Sequence, residues 1–391
     1  MFIFKRRFST FLQLSERSKA VQNACRVFAE KELRPVADLH DKLSKFPQKQ
    51  IEHLGREGLM GACIDGKYGG RGYNLLTFTL AIEELSRVCA STGIIVSIHN
   101  CLYADLVQTY GTPDQLNEFL VPFTSGQIGV FALSEHDAGS DAANLSTTAT
   151  KTESHYILNG RKAWVTSGVE AKAGVFFAHT NKDKGHKGIT AFIVPLDIPG
   201  VELGRREEKL GIRASSTCDI ILNNVQLPHT SVIGEVGSGF EIAMRQLQLG
   251  RIGVAAQALG IGQAAFELAV KYSCQRTVFG ERLCDKQLVK SKLAKMATEL
   301  ESARLLLWKA AAMRDAKQDF RKISSMAKLA ASTCATSNAH HCVQILGAKG
   351  FVSGEAERYY RDSRITQIYG GATDIQKLVI ADLILKEAEF D

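Results

Sequence analysis

Only seven prolines punctuate the 391 residues, and the nine cysteines stand singly at 25, 63, 89, 101, 218, 274, 284, 334 and 342. No CxxC occurs and no Cys/His cluster has zinc-ligand spacing, so no metal site is expected and the thiols read as inert groups in a reducing compartment. No uncharged apolar run approaches 18 residues, which argues against a membrane span. No Lys/Arg run alternates with exposed aromatics, so no nucleic-acid partner is expected. Low-complexity tracts and repeats of 20 to 50 residues are also missing.

Acid is absent from the first fourteen residues, MFIFKRRFSTFLQL, which carry Lys5, Arg6 and Arg7. A basic, Ser/Thr-containing start able to form an amphipathic helix resembles a mitochondrial transit segment and implies the matrix. Its removal would take the formal charge from +7 to +4, an excess that suits an anionic ligand.

What remains is 45% hydrophobic and 23% charged, the composition of a globular protein. Three textures follow one another. Residues 15–127 read as a helical domain: in "ERSKAVQNACRVFAEKEL", Val21, Ala24, Val27 and Phe28 recur at spacings of three and four, and Pro35 is expected to end that run. "LLTFTLAIEELSRVCAS" and "GIIVSIHNCLYADLVQTYG" continue as apolar helices, the second stopped at Gly111. "TPDQLNEFLVPF" opens with a capping threonine and a proline at the first helical position. Residues 128–236 read as a β domain, where the Asn-Gly of "HYILNGRKAWVT" predicts a hairpin turn. Residues 237–391 return to helix. Val289, Leu293, Met296, Leu300, Ala303 and Leu307 step by 4, 3, 4, 3, 4, the seam of a helix in an antiparallel bundle. The fold class is multidomain α+β, with an N-terminal helical domain, a central β domain and a C-terminal four-helix bundle.

Motifs carry the reading further. "FALSEHDAGSDAANLSTTA" places Gly139, Ser140 and Asp141 in a polar, turn-prone segment able to serve an acceptor-rich ligand. It is followed by "KAWVTSG", "EEKLGIRASSTCDIIL", "QLGRIGVAAQALGIGQ", "RTVFGERLCDKQLV" and "QILGAKGF". Together and in this order these segments resemble the acyl-CoA dehydrogenase family, most of all its short-chain (butyryl-CoA) and short/branched-chain members. The likeness runs from about residue 15 to 385.

The resemblance implies a homotetrameric mitochondrial flavoenzyme. It would draw a trans double bond between Cα and Cβ of an acyl-CoA and pass electrons from FAD to an electron-transferring flavoprotein. It places Phe131, Ala132, Leu133, Ser134 and Ser140 along the flavin ring, with Ser140 also touching the acyl-CoA. Trp164, Val165 and Thr166 would lie against the flavin. Arg276 and Gln287, with Gln344, Ile345, Leu346, Gly347 and Ala348, would hold the pyrophosphate and adenosine of a neighbouring subunit's FAD. Ala372, Thr373 and Asp374 would complete the FAD site, and Gln248, Leu249, Gly250, Arg251, Tyr369 and Gly371 would face the substrate. The chemistry agrees with the residue types, since Arg binds pyrophosphate bidentately and glycine permits close backbone approach. Two loop positions depart from the family pattern, a Pro-Gly-like pair being replaced by His136 and Asp137. His136 reads as an exposed loop residue, and the helix pair His340 and His341 as structural.

One departure touches the reaction itself. Removing the α-proton needs a base, for which the family uses a glutamate in an apolar pocket. In the segment resembling "IYEGTSEIQ" this chain has Ile368-Tyr369-Gly370-Gly371-Ala372-Thr373-Asp374-Ile375-Gln376, so the base position is Gly370. The alternative family position, on an earlier helix, is Gly250. Three readings stand: a base deleted by design, a paralogue that binds FAD and acyl-CoA but turns over poorly, or another base, with Tyr369 and Glu135 as candidates. Tyrosine, with a pKa near 10, is a poor base at neutral pH.

Overall fold

The computed structural model describes residues 14–388, so all of the transit-like segment except Leu14 lies outside it. The N-terminal part holds α1 (Glu16–Phe28), α2 (Arg34–Lys42), α3 (Gln48–Arg56), α4 (Leu75–Val88), α5 (Ala90–Ile98), α6 (Asp105–Tyr110), α7 (Pro113–Phe119) and α8 (Val121–Thr124). Pro35 does not end the first run. A π-helical segment, Ala29–Leu33, joins α1 to α2, and the proline sits in the first turn of α2. Widening the coil there accommodates a residue that has no N–H to donate and whose ring would crowd a regular helix. A second π segment, His99–Ala104, links α5 to α6, which ends at Gly111. Thr112 caps α7 in a capping box with Gln115, and Pro113 stands at the first helical position.

The middle part is a seven-stranded sheet of β1 (Gly129–Ala132), β2 (Thr148–Lys151), β3 (His155–Thr166), β4 (Ala173–His179), β5 (Ile189–Pro195), β6 (Val201–Arg206) and β7 (Thr217–Pro228). The order is β1-β4-β2-β3-β7-β6, with β5 also on β4. Asn159-Gly160 forms no hairpin, because β3 runs straight through it with a register irregularity against β7. Gly160 is needed for a close approach, since a Cβ there would collide with the Thr147 side chain.

The C-terminal part is α9 (Gly239–Gln275), a two-stranded hairpin of β8 (Thr277–Val278) and β9 (Glu281–Arg282), α10 (Gln287–Asp315), α11 (Arg321–Leu346), α12 (Ala348–Phe351), α13 (Glu355–Ile365) and α14 (Thr373–Ala388). α9 packs on α11, α10 and α4, and α14 lies on α11. α9 is long and apolar enough to cross a bilayer, and 83% of that window is buried inside the protein. The α10 seam is buried from Met296 through Leu307, whereas Val289 and Leu293 are half-buried near the helix start. One core runs unbroken from α1–α5 into α9–α11, while a second ties the π segment and α6–α8 to one face of the sheet. The sheet is thereby docked to both helical parts.

Candidate active site

The segment 365–373, between α13 and α14, is a tight loop built on two glycines in left-handed backbone, Gly370 at φ +63 and Gly371 at φ +90. Gln376, fully buried in the first turn of α14, donates through Nε2 to Gly371 O at 3.0 Å and Gly370 O at 3.2 Å. Lys328 Nζ, reaching from α11, donates to Gly371 O at 2.8 Å. Its burial pushes the ammonium down to about 8, and the nearby Arg251 adds to that. The loop carbonyls are thus held inward. Thr373 closes it, its N–H donating to Gln367 O at 3.0 Å. Asp374 points outward to Lys377 at 3.2 Å.

Gly370 faces α9. A Cβ built on it would meet only Val254 Cγ2, at 3.3 Å, so the position has room for a side chain. One turn back from Val254, a Cβ on Gly250 would meet Leu102 Cδ2 at 2.8 Å, which places the π segment over the other family base position. Tyr369 donates its hydroxyl to Gln257 Oε1 and burial pushes the phenol up, so it stays a protonated donor. Glu135 accepts from Lys162 Nζ at 2.8 Å and from the N–H and hydroxyl groups of Ser146 and Thr147. Burial pushes its carboxyl up, but Lys162 and those donors hold it well below the usual carboxylate range. With its lone pairs occupied, Glu135 has no basicity to offer. Both substitute bases are therefore committed elsewhere.

Four consecutive helical residues cannot share one face, and Gln248–Arg251 do not. Leu249 lies in the core, and Arg251 is buried with Nη1 donating to Ser325 Oγ at 3.0 Å. The α9 residues that meet the loop are Val254, against Gly370, and Gln257, bonded to Tyr369. Val254, Gln257, Leu102, Lys328 and Gln376 were missed in the sequence. An i, i+4 step from Gly250 reaches Val254, but no local signal marks the others.

On the sheet, Ala132 and Leu133 are buried, Phe131 packs on Phe177 with ring centroids 5.0 Å apart, and Ser134 is half-buried. Ser134 O accepts from Ala163 N–H at 2.8 Å and Leu133 O from Lys162 Nζ at 3.1 Å, so the loop after β1 is stitched to β3. Ser140 is exposed on that loop. Val165 points into the core and Thr166 pairs with Thr217. Trp164 differs from both. It has φ +61, a conformation costing an L-residue about 1–2 kcal/mol, and leaves 54% of its surface exposed. An indole presented outward from strained backbone is a ready platform for a flat ring.

Arg276 and Gln287 are exposed at the two ends of the β8–β9 hairpin. Of the run 344–348, Ile345 and Leu346 point into the core, because a helix end buries one side, while Gln344, Gly347 and Ala348 stay at the surface. Lys349 lies 5.7 Å from the Tyr272 ring, which brings this helix end to the last turn of α9 beside Arg276. Within one protomer this region and the Gly370 loop remain separate clusters joined by no described hydrogen bond. The residue set nevertheless fits a flavin dinucleotide: an outward indole for the ring, and an exposed guanidinium beside an open glycine corner for the diphosphate.

Residues 15–127, 130–225 and 237–385 match, in order, the N-terminal, middle and C-terminal domains of acyl-CoA dehydrogenase. The chain is 48% identical over 377 residues to the short-chain specific acyl-CoA dehydrogenase, mitochondrial, of Mus musculus, spanning 96% of this chain and 92% of that protein. It is 40% identical to the short-chain specific acyl-CoA dehydrogenase of Clostridium acetobutylicum, over 95% of this chain and 99% of that one. The butyryl-CoA dehydrogenase of Megasphaera elsdenii superposes with a TM-score of 0.94 at 39% identity, covering 96% of this chain and 99% of its own.

Proposed function

The chain belongs to the acyl-CoA dehydrogenase family of FAD-dependent oxidoreductases, and we propose that it binds FAD and a short-chain acyl-CoA while abstracting the α-proton poorly. The observation that carries this is the base position: Gly370 offers a backbone N–H but no proton acceptor, and Tyr369 and Glu135 are both committed elsewhere. FAD, when bound, accepts the β-hydrogen with its electron pair.

The chain's own residues divide the remaining work. Ser134, Trp164 and Thr166 hold the flavin ring, Arg276 and Gln287 grip the dinucleotide of a neighbouring subunit, and Ala372 to Asp374 close the pocket. Tyr369 and Gly371, clamped by Gln257, Gln376 and Lys328, shape the thioester side. The Gly370 N–H would donate to a thioester carbonyl as enolate charge develops there. General-base catalysis contributes about 10²–10⁴-fold, so its loss raises the barrier by roughly 3–5 kcal/mol while leaving binding largely intact. The resulting trans-2-enoyl-CoA activity, with an electron-transferring flavoprotein as acceptor, is weak, and the chain acts chiefly as an FAD and acyl-CoA binder. The Mus musculus relative supports the mitochondrial matrix as its location, although relatives also occur in bacteria.

Anaerobic mixing with butyryl-CoA is expected to shift the flavin spectrum without bleaching it. Rapid full bleaching would show that a base is present after all. Gly370→Glu is expected to restore bleaching, reduced by the left-handed backbone at φ +63 and the Val254 contact at 3.3 Å.

A further inference from the structure

His136, one of the two positions that depart from the family pattern in the loop after β1, is bonded into the fold. Its Nε2 lies 2.8 Å from Asp219 Oδ2, on β7. Asp219 is 2% exposed, and Arg161 Nε donates to the same oxygen at 2.7 Å. The other oxygen, Oδ1, is buried with no hydrogen-bond partner. Burial pushes the Asp219 carboxyl up, but the bonds from His136 and Arg161 outweigh it and keep the group below its ordinary range. An ionised Asp219 only accepts, so Nε2 of His136 must carry the proton and donate. The plane of the imidazole is thereby fixed.

That plane meets Trp164. The His136 ring stands edge-on to the indole, with centroids 5.2 Å apart at 70°. The sheet ladder does not hold residue 164, because β3 slips register against β7 between Lys162 and Val165. Its left-handed backbone and exposed side chain therefore need support from outside the ladder. Ser134 and Leu133 tie the loop to β3 on the buried side, and His136 is the tether on the open side.

We propose that His136, anchored by Asp219, is a positioning residue that holds the Trp164 indole in the orientation in which it stacks on the flavin. The inference rests on the reading of Trp164 as the flavin neighbour. A solvated loop histidine is the plain competing account. It leaves unexplained why the ring is bonded to a buried carboxylate.

The test uses the full chain, with FAD and stripped of it. The near-ultraviolet circular dichroism of Trp164, isolated by subtracting Trp164→Phe, reports the indole without flavin, and FAD titration reports affinity. His136→Phe keeps a ring and loses the donor, Asp219→Leu removes the acceptor, and Asp219→Asn keeps an acceptor. The first two are expected to collapse the Trp164 band and weaken FAD about three- to tenfold. Their combination should be no worse than either alone, and Asp219→Asn should retain most of the band. An unchanged band in His136→Phe, or losses that simply add, would overturn the proposal. If the wild-type protein takes up no flavin, the functional reading fails, while the flavin-free signal still decides whether His136 positions Trp164.

Discussion

A Cβ added at Gly371 would run into the Gln376 amide, whereas one added at Gly370 would touch only the Val254 methyl at 3.3 Å. Both residues need left-handed backbone, but only Gly371 also needs its missing side chain. Gly371→Ala is therefore expected to break the Gln376 clamp and leave a buried amide without its acceptors, costing about 2–4 kcal/mol in urea unfolding. Gly370→Ala should cost about 1 kcal/mol, for the backbone alone. Equal losses would mean that the clamp contributes nothing. The contrast matters for function: glycine at 371 is called for by backbone and packing together, while glycine at 370 is called for by the backbone alone. Sequence alone shows two adjacent glycines and the family segment around them. It does not show which is structurally required, because Gln376 and Lys328 reach the loop from other helices.

At the level of elements, local patterns were legible wherever the local signal also decided the structure. The Thr112 cap, the Gly111 stop and the buried part of the α10 seam needed no tertiary information. Pro35 and Asn159-Gly160 misled, since a π segment absorbed the proline and a long strand pair overrode the turn dipeptide. Another element contact was invisible in the sequence, the docking of residues 207–216 onto α13. There Asp362, buried, accepts the Ile212 N–H at 2.5 Å, and Ile212 itself has φ +46. Burial, against Arg358 and that bond, pushes the Asp362 carboxyl from 3.8 up to about 6. Between those values the folded chain holds a proton that the unfolded chain has released. Stability therefore falls as pH rises from about 4 to 6, by on the order of 1–3 kcal/mol, and this contribution is flat above. Asp362→Asn removes that titration, so the variant's stability relative to wild type should rise across the same window in urea unfolding. A difference that does not vary with pH would place the titration elsewhere.

Over the whole molecule, the exposed large apolar residues gather in the C-terminal half. Phe279 is 97% exposed, Phe351 82% and Leu288 76%, with Val352, Leu378 and Leu385 also outward. Phe279 sits in the turn of the β8–β9 hairpin between Arg276 and Gln287, Leu288 follows Gln287 in α10, and Phe351 ends the helix that follows the Gly347 corner. On the proposed reading, in which Arg276 and Gln287 grip a neighbouring subunit's dinucleotide, this apolar surface would form the subunit interface. Cofactor affinity and assembly should then be linked: binding across an interface stabilises the assembled state, and dilution should weaken both together. Sedimentation is expected to show a tetramer, and Phe351→Asp or Leu288→Asp to dissociate it and release FAD in parallel. Arg276→Ala should leave the tetramer intact while weakening FAD about tenfold or more, since a charge-assisted bidentate contact is lost without the apolar contacts being touched. A monomer that keeps full FAD affinity would separate the two properties and reassign Arg276 to its own subunit or to the solvent.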